Sequence, residues 1–321
     1  MAGKRIVLTG AAGFIGSHLA ERLIKEGFFV VGVDCFSDYY SRAIKESNLS
    51  KLRSHDQFSF VEGDILTLKW AELLKGVSYV FHEAGRPGVR GSWGKNFEAY
   101  LRDNVFATQR LLEAAKGLKE LKGFVFSSSS SIYGDAERYP TSEEDLPKPV
   151  SPYGVTKLAC EQLCRVYQES FGVPATILRH FTIYGPRQRP DMAFYRFIDA
   201  MIHKKEILVY GDGEQTRDFT YVSDAVDAKI LAMQNCAFGE IFNIGGGSRI
   251  SVNNVIRLLE GIIGRKAYVK YSDRQKGDAR DTAADIKRAR ERLWYSPKVN
   301  IEQGLFEQVQ WQLKTPVNCC S

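Results

Sequence analysis

Long apolar runs, metal-binding cysteine patterns and a strong charge of one sign are all missing from this sequence. No apolar stretch approaches the ~20 residues that are needed to cross a bilayer, so we expect no membrane-spanning segment. The net charge is only +6, from 44 basic and 38 acidic residues spread along the chain, which argues against nucleic-acid binding. The sequence also lacks internal repeats and low-complexity segments, which excludes fibrous and repeat architectures.

The six cysteines fit neither a zinc ligand set nor a disulfide framework, so we expect no metal site. Cys160 and Cys164 share one face of a predicted helix and are interpreted as small buried thiols. Cys319 and Cys320 lie in a short C-terminal tail. The first predicted strand begins at once, without a signal peptide before it, and free thiols suit a reducing compartment. We therefore expect a cytoplasmic protein.

What is present, in the first half, is an alternation of short apolar runs with helical patterns. This alternation predicts an α/β fold, a doubly wound parallel sheet with helices on both faces. The predicted strands span 5–8, 28–33, 58–61, 77–81, 123–126 and 175–179, and the predicted helices span 14–25, 97–116 and 153–171.

A glycine-rich turn joins the first predicted strand to the first predicted helix. Gly10 provides the tight turn, Gly13 lets the backbone approach a pyrophosphate, and Gly16 lets the helix pack close to the sheet. The helix begins at Phe14 and Ile15, where free N–H groups and the helix dipole attract phosphate. The position of the motif, directly after a strand and opening a helix, indicates a Rossmann-like dinucleotide site.

Asp34 ends the second predicted strand, 18 residues after Gly16. A carboxylate there accepts hydrogen bonds from a ribose 2′-OH and repels a 2′-phosphate, which favours NAD over NADP. The alternative is that Asp34 only caps a local turn. Asp64 and Ile65 follow the third strand and are expected beside the adenine.

The second half is less regular. A predicted strand at 240–244 is a candidate to rejoin the first sheet, and 251–263 is predicted to be helical. We predict an NAD-binding Rossmann domain at 1–180, with a returning segment near 217–246. Residues 181–321 are predicted to form mainly a smaller α/β lobe that closes over a substrate.

Tyr153 and Lys157 lie four residues apart on one predicted helix, so both side chains project from the same face. A free tyrosine is a poor base at neutral pH because its pKa is about 10. A nearby ammonium and an oxidised nicotinamide favour the phenolate, which can then take a hydroxyl proton. Five serines, 127–131, end the predicted strand before this helix, at the sheet edge where ligands bind. The alternatives are a surface Tyr–Lys pair and a polar loop.

The G-x-x-G-x-x-G spacing resembles the short-chain dehydrogenase/reductases, and the whole chain resembles their extended branch, the NAD-dependent sugar-nucleotide epimerases and dehydratases. The resemblance implies that Ser129, Tyr153 and Lys157 form the catalytic set, and that Lys157 also binds the nicotinamide ribose. It also implies a homodimer paired through helices 97–116 and 153–171. It rests on the glycine turn, Asp34, Ser127–Gly134, Ser151–Lys157 and Arg217–Val222.

Within this family, the sequence is most similar to UDP-glucuronate 4-epimerases in three stretches. These are Cys35–Tyr40, Gly88–Trp93, which contains Arg90, and Thr182–Phe194. Dehydratases and UDP-glucuronate decarboxylases generally carry an acid at the position of Ser131, and a hydroxyl is a poor base, which favours simple epimerisation.

The same resemblance suggests the substrate contacts. Thr182, with Ser130, can donate to a sugar carboxylate, while Arg189 adds charge near it or contacts the diphosphate. Arg217 and Arg280 are expected to bind the diphosphate, because guanidinium groups suit bidentate phosphate contacts. A surface position is the alternative for both.

We therefore expect epimerisation of UDP-glucuronate at C4 to UDP-galacturonate, through a transient 4-keto sugar and tightly held NAD. The alternatives are a 4-epimerase of UDP-glucose or a UDP-N-acetylhexosamine, and a UDP-glucuronate decarboxylase. Outside enzymes, the alternative is a non-catalytic NAD-binding scaffold.

Overall fold

Seven parallel strands form the central sheet, in the order β3-β2-β1-β4-β5-β6-β10. The computed structural model describes residues 3–247 and 249–315, so Cys319 and Cys320 lie outside the described residues. This sheet confirms the predicted doubly wound α/β fold. The strands are β1 (Arg5–Thr9), β2 (Phe29–Asp34), β3 (Phe58–Glu62), β4 (Val77–His82), β5 (Gly123–Ser129), β6 (Ala175–His180), β7 (Thr182–Tyr184), β8 (Glu206–Tyr210), β9 (Thr216–Tyr221), β10 (Ile241–Ile244), β11 (Arg249–Ser251) and β12 (Tyr268–Ser272).

Helices cover both faces of the sheet, so the central strands are apolar on both sides. In β1, Ile6 and Leu8 pack on the side of α1 and α8, and Val7 packs on the side of α5 and α6. Cys160 and Cys164 are buried in the latter layer, as predicted. The helices are α1 (Phe14–Lys25), α2 (Arg42–Leu49), α3 (Trp70–Leu73), α4 (Phe97–Tyr100), α5 (Ala107–Ala115), α6 (Pro152–Phe171), α7 (Ala193–Ile202), α8 (Val222–Gln234), α9 (Val252–Ile263), α10 (Lys287–Leu293) and α11 (Ile301–Lys314).

The strand order reverses direction between β1 and β4. The chain first runs outward from β1 through β2 to β3, then returns to place β4 on the other side of β1. The loops after β1 and β4 therefore diverge and leave a crevice at the carboxyl ends of the strands, where ligands of such sheets bind.

The predicted helix over 97–116 is present but is not uniform. Between α4 and α5 the residues Leu101–Phe106 form a π-helical stretch. Such stretches are rare and recur at functional sites, because the wider turn redirects side chains. Two polar residues belong to this stretch: Asp103, which lines the cavity described below, and Asn104, which contacts α6.

A smaller lobe follows β6. It contains the three-stranded sheet β11-β9-β7 and the β12-β8 pair, and α7, α9 and α11 pack around a separate apolar core. β10 returns to the central sheet, parallel to β6. The domain division at 180 stays a prediction. Among the described residues, none of the helices is long and apolar enough to cross a membrane.

Candidate active site

A cavity of about 390 Å³ opens at the crevice between the carboxyl ends of β1 and β4. It draws side chains from the ends of six parallel strands and from the start of α6. Most of the predicted site residues meet there. Those that line it are Gly10, Gly13, Phe14, Ile15, Gly16, Asp34, Asp64, Ile65, Ser129, Ser130, Tyr153, Lys157, Thr182 and Arg189.

The glycine turn brings α1 close to β1, and no side chain among the described residues caps the first N–H groups of α1. Gly10 has φ of +69°, and a Cβ there would lie 2.8 Å from the backbone nitrogen of Ala84. A Cβ on Gly16 would lie 2.1 Å from the carbonyl oxygen of Gly10. Gly13 caps α1 without a side-chain hydrogen bond, so the helix terminus is open to a phosphate. This cradle fits the pyrophosphate of a dinucleotide.

We predict that Gly16→Ala destabilises the protein by about 1–3 kcal/mol, because the new methyl group pushes α1 away from β1. The displaced N–H groups should also retain less NAD through purification. Urea unfolding and the absorbance of released NAD measure the two effects. Gly261→Ala is the matched control, since Gly261 lies in α9 with nothing within 4 Å of an added Cβ. That control should gain up to about 1 kcal/mol, and equal behaviour of the two variants would contradict the close-packing argument.

Asp34 both caps a turn and faces the cavity, so the two interpretations of this residue are compatible. Its carboxylate accepts hydrogen bonds from the backbone N–H groups of Ala12, at 3.1 Å, and Phe36, at 2.9 Å. Burial raises the pKa of Asp34, while the Lys45 ammonium and these two N–H groups oppose the shift. A carboxylate oxygen has room for further donors, as a ribose hydroxyl requires.

The start of α6 holds Tyr153 and Lys157 at the cavity wall. Ser151 caps the helix, its Oγ accepting from the backbone N–H of Gly154 at 3.1 Å. Both Tyr153 and Lys157 are more than nine-tenths buried. Lys157 donates from Nζ to the carbonyl oxygen of Ser127 at 2.7 Å, while the Tyr153 ring meets the edge of Tyr100. A phenol and an ammonium, one helical turn apart, therefore face the same enclosed space.

The serine run divides between the cavity and the layers behind it. Ser129 donates from Oγ to the Ser131 hydroxyl at 3.1 Å and accepts from its backbone N–H at 3.2 Å. Ser128 donates instead to the buried carboxylate of Glu161. The hydroxyls of Ser129, Ser130 and Ser131 belong to residues that line the cavity.

Three predicted arginines are not among the residues that line this cavity. Arg90 donates to Asp278 at 2.6 Å, and Arg280 forms a bidentate pair with Asp212. Arg217 donates to the carbonyl oxygens of Thr216 and Arg280, and makes no ion pair within the described part of the chain. Arg217 and Arg280 are thus neighbours on the smaller lobe, and we call these two residues the basic group.

Some residues of the site were not predicted from the sequence. Asn104 accepts at Oδ1 from the N–H of Arg86, at 2.7 Å, and donates to the hydroxyl of Thr156 on α6, at 3.0 Å. It thus ties the loop after β4 to α6. Glu83 and His180 also line the cavity and bond to Lys229 behind it. Only Glu83 could have been found from the sequence, because an acidic residue directly after a buried strand is a candidate site residue.

A glycine-rich turn after β1, a carboxylate at the end of β2 and a Tyr–Lys pair on α6 together define a short-chain dehydrogenase-type enzyme. The comparisons with known proteins narrow this class. The chain belongs to the NAD dependent epimerase/dehydratase family, whose model matches residues 6–245.

Individual relatives cover nearly the whole chain. It is 46% identical over 309 residues to the "uncharacterized UDP-glucose epimerase YtcB" of Bacillus subtilis, covering 96% of this chain and 97% of that protein. It is 40% identical over 313 residues to the UDP-glucuronate 4-epimerase of Thermodesulfobacterium geofontis, covering 95% of each. The crystal structure of UDP-glucuronic acid 4-epimerase from Bacillus cereus, in complex with UDP-glucuronic acid and NAD, matches with a TM-score of 0.94 and 43% identity, covering 97% of this chain and 99% of that one.

These findings confirm the enzyme class that the sequence predicted. The protein is an NAD-dependent sugar-nucleotide epimerase, and NAD is its cofactor. The assignments of individual site residues stay predictions.

Proposed function

We propose that the protein epimerises UDP-glucuronate at C4 to UDP-galacturonate. The proposal rests on one observation: side chains that can donate hydrogen bonds to a sugar carboxylate line the same cavity as Tyr153. Ser130, Thr182 and Arg189 all line it, and Arg189 is held in place by Asp191 at 3.0 Å. Hydroxyl and guanidinium groups can donate hydrogen bonds to the carboxylate of a sugar acid. A neutral hexose has no such carboxylate. The UDP-glucuronate 4-epimerases among its relatives support the same substrate.

The proposed chemistry assigns one task to each catalytic side chain. NAD, when bound, supplies the hydride acceptor and donor. Tyr153 takes the proton of the O4 hydroxyl, and Ser129 shares that proton over a short distance. Lys157 stabilises the phenolate and binds the ribose. The ring then presents its opposite face, and Tyr153 returns the proton to the 4-keto oxygen.

Simple epimerisation is favoured because, in the part of the chain that the structure describes, no free carboxylate lies at the serine run of the cavity. Ser131 occupies the position where dehydratases and decarboxylases of the family carry an acid. Glu83 lines the cavity, but its carboxylate already accepts from Ser127 and Lys229 and its side chain is only 3% exposed. Neither group is placed to act as a base for a C5 proton.

Oxidation at C4 of glucuronate creates a β-keto acid, which tends to lose carbon dioxide. We propose that the hydroxyls of Ser130 and Thr182 hold the carboxylate in the ring plane. In that orientation the breaking bond does not align with the carbonyl π system. The keto sugar therefore survives until the proton and hydride return.

The diphosphate is assigned to the basic group on the smaller lobe. Among the described residues, Arg217 donates only to carbonyl oxygens, so its guanidinium is available to an anion, and Arg280 can exchange Asp212 for phosphate. Arg90 borders this group through Asp278.

The second candidate is a 4-epimerase of UDP-glucose, favoured by the name of the Bacillus subtilis relative. To distinguish the two, the purified protein should be incubated separately with UDP-glucuronate, UDP-glucose and UDP-N-acetylglucosamine. The products should be separated by chromatography and their masses measured by mass spectrometry. An epimer of equal mass from UDP-glucuronate alone supports the proposal. Loss of carbon dioxide as the main product indicates a decarboxylase, and turnover of only the neutral sugars overturns the assignment.

We predict that Thr182→Ala increases release of UDP-4-keto-pentose relative to UDP-galacturonate by about tenfold, the effect of losing one hydrogen bond to a charged group. Chromatography of the products at early times measures the ratio. Ser54→Ala, which removes an exposed hydroxyl far from the catalytic helix in sequence, is the control. An unchanged product ratio in the Thr182 variant would count against its role in holding the carboxylate.

We also propose a homodimer. The family resemblance predicts that two copies of the chain pair through the helical segments 97–116 and 153–171. Large apolar side chains are exposed on both segments. Among them are Phe106, Val155, Val166 and Phe171, each between 48% and 57% exposed. A second copy of the chain would cover them in a four-helix interface.

A further inference from the structure

Four polar side chains from four different elements meet at the wall of the cavity, three of them lining it and the fourth, Lys229, lying behind them. They are Glu83 after β4, Ser127 in β5, His180 at the end of β6 and Lys229 in α8. The Lys229 ammonium lies 3.0 Å from the Glu83 carboxylate and 2.7 Å from His180 Nε2, and it also donates to the Ser127 hydroxyl. The Ser127 hydroxyl in turn donates to Glu83 at 2.8 Å. The side chains of Lys229 and Glu83 are 0% and 3% exposed.

This cluster consists of a charged pair and a neutral acceptor. Burial, with the nearby charges of Lys229 and Lys157, lowers the pKa of His180 well below its usual range, so the ring is neutral and accepts at Nε2. Burial also lowers the pKa of Lys229, and the Glu83 carboxylate opposes that shift. A buried ammonium without this carboxylate would be strongly unfavourable. Glu83 is therefore the countercharge that Lys229 requires.

Ser127 connects this pair to the catalytic helix. Its hydroxyl is held by Glu83 and Lys229, and its carbonyl oxygen accepts from Lys157 Nζ at 2.7 Å. Two ammonium groups thus bind one serine from opposite ends. The proposed chemistry uses Lys157 and leaves Glu83 and Lys229 without a task.

We propose that Glu83 and Lys229 are positioning residues, which hold Lys157 beside Tyr153 through Ser127 and whose opposite charges balance the electrostatic potential at the phenol. This inference rests on the proposed role of Tyr153 as the proton acceptor, and it holds for any UDP-sugar that the enzyme epimerises.

Burial keeps the titratable side chains that interact with Lys157 in their neutral forms. Burial lowers the pKa of His82 to about 3, which keeps that ring neutral, and burial raises the pKa of the two thiols on α6. Tyr100, against Tyr153, has a raised pKa because it is buried. His180 interacts electrostatically with both Lys229 and Lys157, His82, Cys160 and Cys164 interact with Lys157, and Tyr100 contacts Tyr153.

The test compares Glu83→Gln, Lys229→Met and the double variant, all as NAD-loaded enzyme, by the pH dependence of kcat and by KM. Each single variant should lose about tenfold in kcat with KM within about twofold, the cost of one hydrogen bond to a charged group. Removing the ammonium leaves a carboxylate that opposes a phenolate. The acidic limb of the Lys229→Met profile should therefore move to higher pH, and that of Glu83→Gln to lower pH, each by about one unit.

The double variant separates two effects: the balance of charge between Glu83 and Lys229, and the anchoring of Ser127 by these two side chains. Its acidic limb should return to the wild-type position, while kcat stays several-fold lower because Ser127 has lost its charged partners. Lys287→Met, in an exposed pair with Glu291, is the control and should match the wild type. The proposal is overturned if the acidic limbs of both single variants move in the same direction, or if neither limb moves. If the single variants do not fold, a double variant with wild-type kcat overturns it as well.

The outcome is independent of the substrate assignment. The assay uses whichever UDP-sugar the wild-type enzyme converts. Failure of the wild type on UDP-glucuronate contradicts the proposed function alone, whereas active wild type with unchanged variants contradicts only the positioning role.

Discussion

Tyr153→Phe should lower kcat by about three orders of magnitude, within the range that general acid–base catalysis contributes. The substitution removes only the hydroxyl, so the ring still packs against the edge of Tyr100. Lys157 keeps its bond to the Ser127 carbonyl, and the glycine turn is untouched. The variant should therefore fold and retain NAD while losing the hydroxyl that we propose as the acceptor of the O4 proton. Initial rates with UDP-glucuronate test the expected loss of kcat, and the NAD content of the purified protein tests the expected retention of NAD.

The control for this variant is Tyr268→Phe, whose side chain is 66% exposed in β12. It should keep wild-type kcat. A Tyr153 variant that retains a tenth or more of the wild-type rate would show that another group takes the proton, and Ser129 would be the first to test. A variant that loses NAD would instead indicate a structural role for the hydroxyl.

The parts of this site that could be predicted from the sequence are local. The glycine turn spans seven residues, and Tyr153 and Lys157 are one helical turn apart, so strand and helix geometry alone bring them together. Parallel strands also place their carboxyl ends at one edge of the sheet. This geometry predicts the serine run at the ligand-binding edge, whereas the place of Thr182 beside Ser130 is predicted only by the family resemblance.

The parts that could not be predicted depend on long-range pairing. Lys229 and Ser127 are 102 residues apart, and only the return of α8 to the central sheet brings them into contact. The π-helical stretch that carries Asn104 has no hydrophobic period distinct from that of an α-helix. Likewise, composition does not reveal which carboxylates pair with Arg90 and Arg280, because these partners come from separate loops.

Glu161→Gln should destabilise the protein by about 3–5 kcal/mol, the cost of breaking a buried ion pair from one side. Glu161 on α6 is 0% exposed and receives a bidentate pair from Arg179 on β6, which is 5% exposed. Its carboxylate also accepts from Ser128, and Arg179 donates to Tyr133 at 2.7 Å. The glutamine keeps the shape of the side chain but leaves the guanidinium without a countercharge, away from water. Urea unfolding should show the loss as a lower midpoint with an unchanged slope.

The same helix provides the control, because Glu169 pairs with Arg165 on its exposed face, where the two side chains are 68% and 53% exposed. Glu169→Gln should cost no more than about 0.5 kcal/mol, since water screens that pair. The double variant Glu161→Leu/Arg179→Met should be more stable than Glu161→Gln, because it buries no unpaired charge. If Glu161→Gln costs as little as Glu169→Gln, the Arg179 charge must reach solvent or another acceptor. The layer behind the serine run would then be less rigid than its hydrogen bonds indicate.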